Sequence, residues 1–214
     1  MSEKKKKPIG KIVLIVVVVL VVICAVGSMG GNGSTSNVDS GSADAATEQA
    51  SETTAQNDPT DNPDVTTEQK SAYSRAKSYS DVMHMSKQAI YDQLTSEYGD
   101  KFSADDAQWA VDNLEADYNA NALAKAEDYS DTMHMSKQGI YDQLVSDYGE
   151  KFTADEAQYA VDNLQADYNA NALAKAKDYQ STMNMSAEAI RDQLTSSAGE
   201  KFTQEEADYA VSNL

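Results

Sequence analysis

Apolar and polar positions divide this chain into three stretches. The first is an unbroken apolar run from Ile12 to Val26, preceded by Lys4, Lys5, Lys6, Lys7 and Lys11. No ionisable group except Cys24 occurs between Ile12 and Met29, and that length lies at the lower end for crossing a bilayer core of about 30 Å. The lysines are expected to stay in the cytoplasm, which sends everything after Met29 outside. Three fates of segment 12–29 compete. It is an uncleaved single-pass anchor, a secretory signal cut before Ser28 behind Ala25-x-Gly27, or a lipoprotein leader acylated on Cys24. In Val21-Val22-Ile23-Cys24 the residue before the cysteine is large, where a lipobox has a small one. All three fates export the rest of the chain.

The second stretch, 30–69, is rich in Ser, Thr, Asn, Asp, Gly, Ala and Gln and almost free of large apolar side chains. It cannot bury enough surface to offset its chain entropy, so it reads as a disordered acidic linker.

From Ser71 onward, apolar positions recur at helical spacing and the whole pattern repeats every fifty residues. Tyr79, Tyr129 and Tyr179 form one matched set, Phe102, Phe152 and Phe202 another, and Leu114, Leu164 and Leu214 a third. The pattern predicts repeats over 70–121, 122–171 and 172–214, each of three helices. The first helix carries Ala122, Ala126, Tyr129 and Met133 at offsets of four, three and four, a helical stripe that extends to the methionine as core filler. Ser86, Ser136 and Ser186 are N-caps of the second helix. Gly99, Gly149 and Gly199 suit left-handed C-caps. Ser103, Thr153 and Thr203 begin the third helix; Glu156 and Glu206 complete capping boxes, and Asp106 is a weaker version. The third stripe is Ala107, Ala110, Val111 and Leu114. Between third and next first helix there is no Gly or Pro, so a shared helix through Glu115–Ala122, bent near Asn119 and Asn121, is expected. The fold class is therefore all-α: tandem three-helix, helix-turn-helix-like repeats behind a transmembrane or signal helix and a disordered linker.

Charge narrows the partners. The formal net charge is -18, which repels nucleic-acid phosphates. On a wheel of about 100° per residue, Trp109 points away from the core with Asp105 and Asp112 near it. The second repeat places Asp155, Tyr159 and Asp162 there, and the third places Glu205, Tyr209 and Ser212. A DNA-reading helix carries basic and amide side chains on that face instead. Aromatics ringed by carboxylates suit a basic or amphipathic protein partner. The alternative is that Trp109, Tyr159 and Tyr209 pack against a neighbouring helix or repeat. Tyr91, Tyr98, Tyr141 and Tyr148 are expected as half-buried packing beside helix two. Arg191 and Ala198 in the third repeat suggest a terminal cap or a weaker binding unit.

Nothing in the pattern suggests an enzyme or a cofactor. No nucleophile–base pair or phosphate-binding glycine loop occurs, and a lone cysteine excludes an intramolecular disulfide and a zinc site of several thiolates. His84 and His134 align with Asn184, which favours a surface or capping role over metal ligation.

The phrases Met-x-Met-Ser-Lys-x-x-Ile-Tyr-Asp-Gln-Leu and Gly-x-Lys-Phe-Thr-x-x-Glu-Ala-x-Tyr-Ala-Val-x-Asn-Leu resemble the Ltp-like host-cell-surface-exposed lipoprotein repeat, over Ser71–Leu214. That resemblance implies three-helix repeats outside a Gram-positive-type envelope. It also implies superinfection exclusion, in which entry of phage DNA is blocked and the partner is a phage protein. A structural or adhesive protein binding cell-wall polymer or a host surface is the competing reading.

Overall fold

The computed structural model describes residues 58–214. The basic segment 1–11, the apolar segment 12–29 with Cys24, and the linker through residue 57 lie outside the described residues. Among the described residues there are nine α-helices, a short 3-10 turn at Pro59–Asp61, and no strand. None of these helices is long and apolar enough to cross a membrane.

The first repeat comprises α1 (Thr67–Asp81), α2 (Lys87–Thr95) and α3 (Ala104–Asn113). The second comprises α4 (Tyr118–Asp131), α5 (Lys137–Val145) and α6 (Ala154–Asn163). The third comprises α7 (Tyr168–Met183), α8 (Ala187–Thr195) and α9 (Gln204–Ser212). Several helices are only nine residues long, too short to persist alone in water. Caps and burial hold them. Ser86, Ser136 and Ser186 each accept from the backbone N–H three residues on. Thr153 with Glu156 and Thr203 with Glu206 form full capping boxes. Asp106 is a methylene shorter; Ser103 donates its hydroxyl to the Asp106 carboxylate at 2.5 Å. A further box, Thr66 with Gln69, starts α1 at Thr67, inside the stretch expected as linker through residue 69.

Each repeat has its own core. Alanines of the first and third helices are fully buried, so these two helices pack most extensively on one another. The second helix inserts Ile90 and Leu94, Ile140 and Leu144, or Ile190 and Leu194, all completely buried. Burial of such a side chain stabilises by roughly 1.5–3 kcal/mol.

Three expectations need correcting. No shared helix joins the repeats. α3 stops at Asn113, Leu114 is extended (φ -78°, ψ 113°), and the Asp117 carboxylate caps α4 by accepting from Ala120 N. Asp167 does the same for α7. A cap satisfies the orphan N–H groups of a new helix and so competes with continuing the old one. Secondly, Gly99, Gly149 and Gly199 are not left-handed caps. The left-handed residues of that turn are Lys101, Lys151 and Lys201, at φ 58–61°. Glycine is required because a Cβ at Gly99 would lie 2.4 Å from the Gln93 carbonyl oxygen. Thirdly, Met83, Met133 and Met183 are exposed, not core. The chain turns left-handed at His84, His134 and Asn184 (φ 50–52°), and Met85, Met135 and Met185 pack on the core instead. Asn and His are among the non-glycine residues that tolerate this conformation, which accounts for their exchange at one position.

Candidate functional site

Two surfaces recur with the repeat: the junction between successive repeats and the outward aromatic-acidic face. The junction is built on the turn between second and third helices. Within the second repeat, Tyr129 donates its hydroxyl to the Glu150 carboxylate at 2.6 Å, and Lys125 lies 3.6 Å from it. The Glu150 backbone carbonyl then accepts from the Ser86 hydroxyl of the first repeat at 2.6 Å. The next residue, left-handed Lys151, ion-pairs with Asp92 across the junction. On the other side, buried Asn121 donates to Ser80 Oγ at 2.9 Å and to the Met85 carbonyl at 3.1 Å. The second junction repeats every contact: Ser136 to Glu200, Lys201 to Asp142, and Asn171 to Ser130 and Met135. Buried amide-to-hydroxyl bonds of this kind fix relative position more firmly than the half-exposed ion pairs, each worth about 0–1 kcal/mol.

Tyrosine acidity follows this burial. Burial, then the Glu200 carboxylate, pushes the Tyr179 phenol up to about 12. Tyr129 moves in the same direction for the same reasons, burial first and Glu150 second.

The outward face divides into unlike parts. Trp109 does not stand free: its ring lies 6.2 Å from that of Tyr73, packs at the edge of the first core, and lines a cleft with Asp58, Pro59 and Val65. The wheel omitted the segment ahead of α1, which folds back over this face. Tyr159 and Tyr209 are 42% and 44% exposed. Asp105, Asp155 and Glu205 sit exposed in the first turns of α3, α6 and α9, where carboxylates complement the helix dipole. Asp112 and Asp162 are bound in ion pairs to Lys87 (2.7 Å) and Lys137 (2.9 Å). Those lysines, and then Gln108 and Gln158, hold both carboxyls below the usual carboxylate range.

The most exposed aromatics are ones expected as half-buried. Tyr98 is 100% and Tyr148 96% exposed, on turns beside Glu97 and Asp147. Tyr91 and Tyr141 are half-buried, as expected. Caps at Gly99 and Gly149 would have kept Tyr98 and Tyr148 within the second helix, but α2 and α5 end at Thr95 and Val145. No group of three or more His, Cys, Asp or Glu able to hold a metal occurs among the described residues.

Tandem three-helix repeats locked by a recurring turn, with an acidic surface, define a class of helical repeat proteins. The model of the family of host cell surface-exposed lipoproteins matches residues 67–114, 117–164 and 167–214, and the chain belongs to that family. Among solved structures it is similar to Ltp, a superinfection exclusion protein from the Streptococcus thermophilus temperate phage TP-J34. The identity is 53%, the match covers 45% of this chain and 94% of that one, and the TM-score is 0.42. No curated protein matches the chain. The first two family matches end at Leu114 and Leu164 and the next ones begin at Asp117 and Asp167, across the extended links where the helices break.

Proposed function

We propose that the chain is an envelope-tethered capture module that binds a basic or amphipathic protein segment. In the cell, it excludes superinfecting phage by blocking DNA entry. The carrying observation is the pair of turns that present Tyr98 and Tyr148, almost fully exposed, beside acidic residues. Exposed tyrosine offers large contact area at small entropic cost, and carboxylates steer a basic partner to it. Tyr159 with Asp155, and Tyr209 with Glu205, extend the same chemistry along the repeats. Trp109 with Asp105 contributes an edge rather than a free ring. Tethered repeats raise the effective concentration for the second contact. Cell-surface exposure of the family supports the placement, and superinfection exclusion is what the family resemblance implies. The net charge of -18 speaks against nucleic acid as the ligand. Segment 12–29 supplies the membrane attachment as an uncleaved span; an intact N-terminal mass for the cell-derived protein is the expected result.

Phage challenge of cells making the chain tests the reading. Normal adsorption with DNA entry blocked is expected, and Tyr98→Ala with Tyr148→Ala should restore entry at unchanged surface level. Unaltered infection across a broad phage panel sinks it.

A further inference from the structure

Two hollows meet at Lys151 of the first junction. A groove of about 590 Å³ is walled by Gln88 and Asp92 of the first repeat and by Val145, Asp147 and Phe152 of the second. A cleft of about 460 Å³ is walled by Tyr91 and Gln108 of the first repeat and by Tyr118 and Glu156 of the second. Gln88, Lys151 and Thr153 line both, so the two hollows adjoin on one surface.

We infer that the first junction, and not the second, seats a doubly basic segment of a protein, with one cationic side chain at Asp147 and the other at Glu156. This rests on the capture reading above and narrows it from the repeats in general to one junction. Three observations carry it. The first is charge. Lys151 is engaged by Asp92, and Lys87 by Asp112. The carboxylates left over, Asp147 and Glu156, have no cationic partner among the described residues. Glu156 accepts from the Thr153 backbone N–H at 2.8 Å, which leaves its charge in place. The adjoining hollows thus hold two uncompensated negative charges, and two cations complement them. The second is ring surface. Tyr148, next after Asp147, is 96% exposed, and half-buried Tyr91 lines the cleft. The stems and cationic heads of arginine and lysine pack on such rings. The third is the contrast between repeats. Glu97 and Tyr98 carry the same chemistry in the first repeat, but no earlier repeat among the described residues supplies a second wall. The second junction keeps Tyr141 and Glu206 around a cleft of about 350 Å³. At the places of Val145, Asp147 and Tyr148, however, stand Thr195, Ser197 and Ala198. Of the two junctions, the first alone carries both halves.

Calorimetric titration of the full chain in neutral detergent at low salt tests this, with an alanine–arginine peptide as probe. One peptide per chain is expected. Tyr148→Ala should weaken binding about tenfold, and Asp147→Asn and Glu156→Gln about twofold to fivefold each. Glu156→Gln should keep its melting temperature, because an amide oxygen still caps the helix, as Gln69 does for the Thr66 N–H at 3.1 Å. Tyr98→Ala and Glu206→Gln should leave the affinity unchanged. Ser197→Asp with Ala198→Tyr, which gives the second junction its missing half, should raise the stoichiometry to two peptides per chain. If Tyr98→Ala weakens binding as much as Tyr148→Ala, the turns act without the junction; the capture reading then survives and this inference does not. Two peptides on the unaltered chain, or undiminished affinity in Glu156→Gln, also overturn it. A chain that takes up no peptide at low salt overturns it too, and the phage challenge then decides the capture reading separately.

Discussion

Ser80 and Ser130 lie buried, and each accepts from an asparagine of the repeat that follows. At the matching place in the third repeat stands Gln180, exposed. The same edge exchanges Lys137 for Ala187, Tyr141 for Arg191 and Tyr148 for Ala198. The cores show no such divergence: Ile140, Leu144, Ala157 and Ala160 meet Ile190, Leu194, Ala207 and Ala210. The entry side shows the mirror image. Asn121 and Asn171, and Tyr118 and Tyr168, correspond to Ser71 and Glu68 in the first repeat, which follows the polar linker. Residues thus vary with whether a neighbour is present, because a junction demands shape and hydrogen-bond partners that an open edge does not.

The sharpest way to break this comparison is through the cores. Leu144→Ala and Leu194→Ala each remove a fully buried side chain, at a cost of about 2–5 kcal/mol. The middle repeat is locked at both sides, so Leu144→Ala should lower the stability of all three repeats together in denaturant melts. Leu194→Ala should split off an early transition of the third repeat alone. One shared transition in both variants would show that the edge difference has no energetic meaning.

Next in size is Asn171→Ala, which strands the Ser130 hydroxyl and the Met135 carbonyl; about 1–3 kcal/mol should be lost in chemical denaturation. The serine caps give a smaller and more discriminating pair. Ser136 caps α5 and also donates to the Glu200 carbonyl, whereas Ser186 only caps α8. Ser136→Ala should cost about 1–2 kcal/mol and Ser186→Ala about 0.5–1 kcal/mol. Equal losses would remove the inter-repeat bond from the account.

The smallest effect is alkaline. Burial, and secondarily Glu156, pushes the Tyr118 phenol from 10.0 up to about 12. A raised phenol favours the protonated folded state, so its contribution is complete below about pH 10 and is lost as pH rises through about 12. Melting temperature should fall across that window, and Tyr118→Phe should flatten part of the fall. An unchanged profile in the variant would assign the loss to other groups.

Much of this was legible beforehand. Period and stripe located the core alanines, Ile90 and Leu94, and N-cap chemistry placed Ser86, Thr153 and Thr203, because these depend on contacts close along the chain. The helix break at Leu114 was missed, although Asp117 and Asp167 stand where a cap should. No helix-breaking residue marked the end of α3, and a cap decides only when it outweighs continuation. For Trp109 the packed alternative holds; a helical wheel knows one helix and could not choose it, since the covering segment lies about fifty residues away. Tyr98 and Tyr148 were misplaced because helix ends are set by the turn at Gly99 and Gly149, not by periodicity.

The amino-acid pattern alone settled that these are helices, in three copies, with an acidic surface, since helical periodicity and capping act within a few residues. Only the folded arrangement decided that the copies lock through a serine, an asparagine and a left-handed lysine, and that clefts open between them. Those contacts join residues 36 to 64 positions apart. Their energy depends on which groups burial brings together and strips of water, and no local window of sequence contains that information.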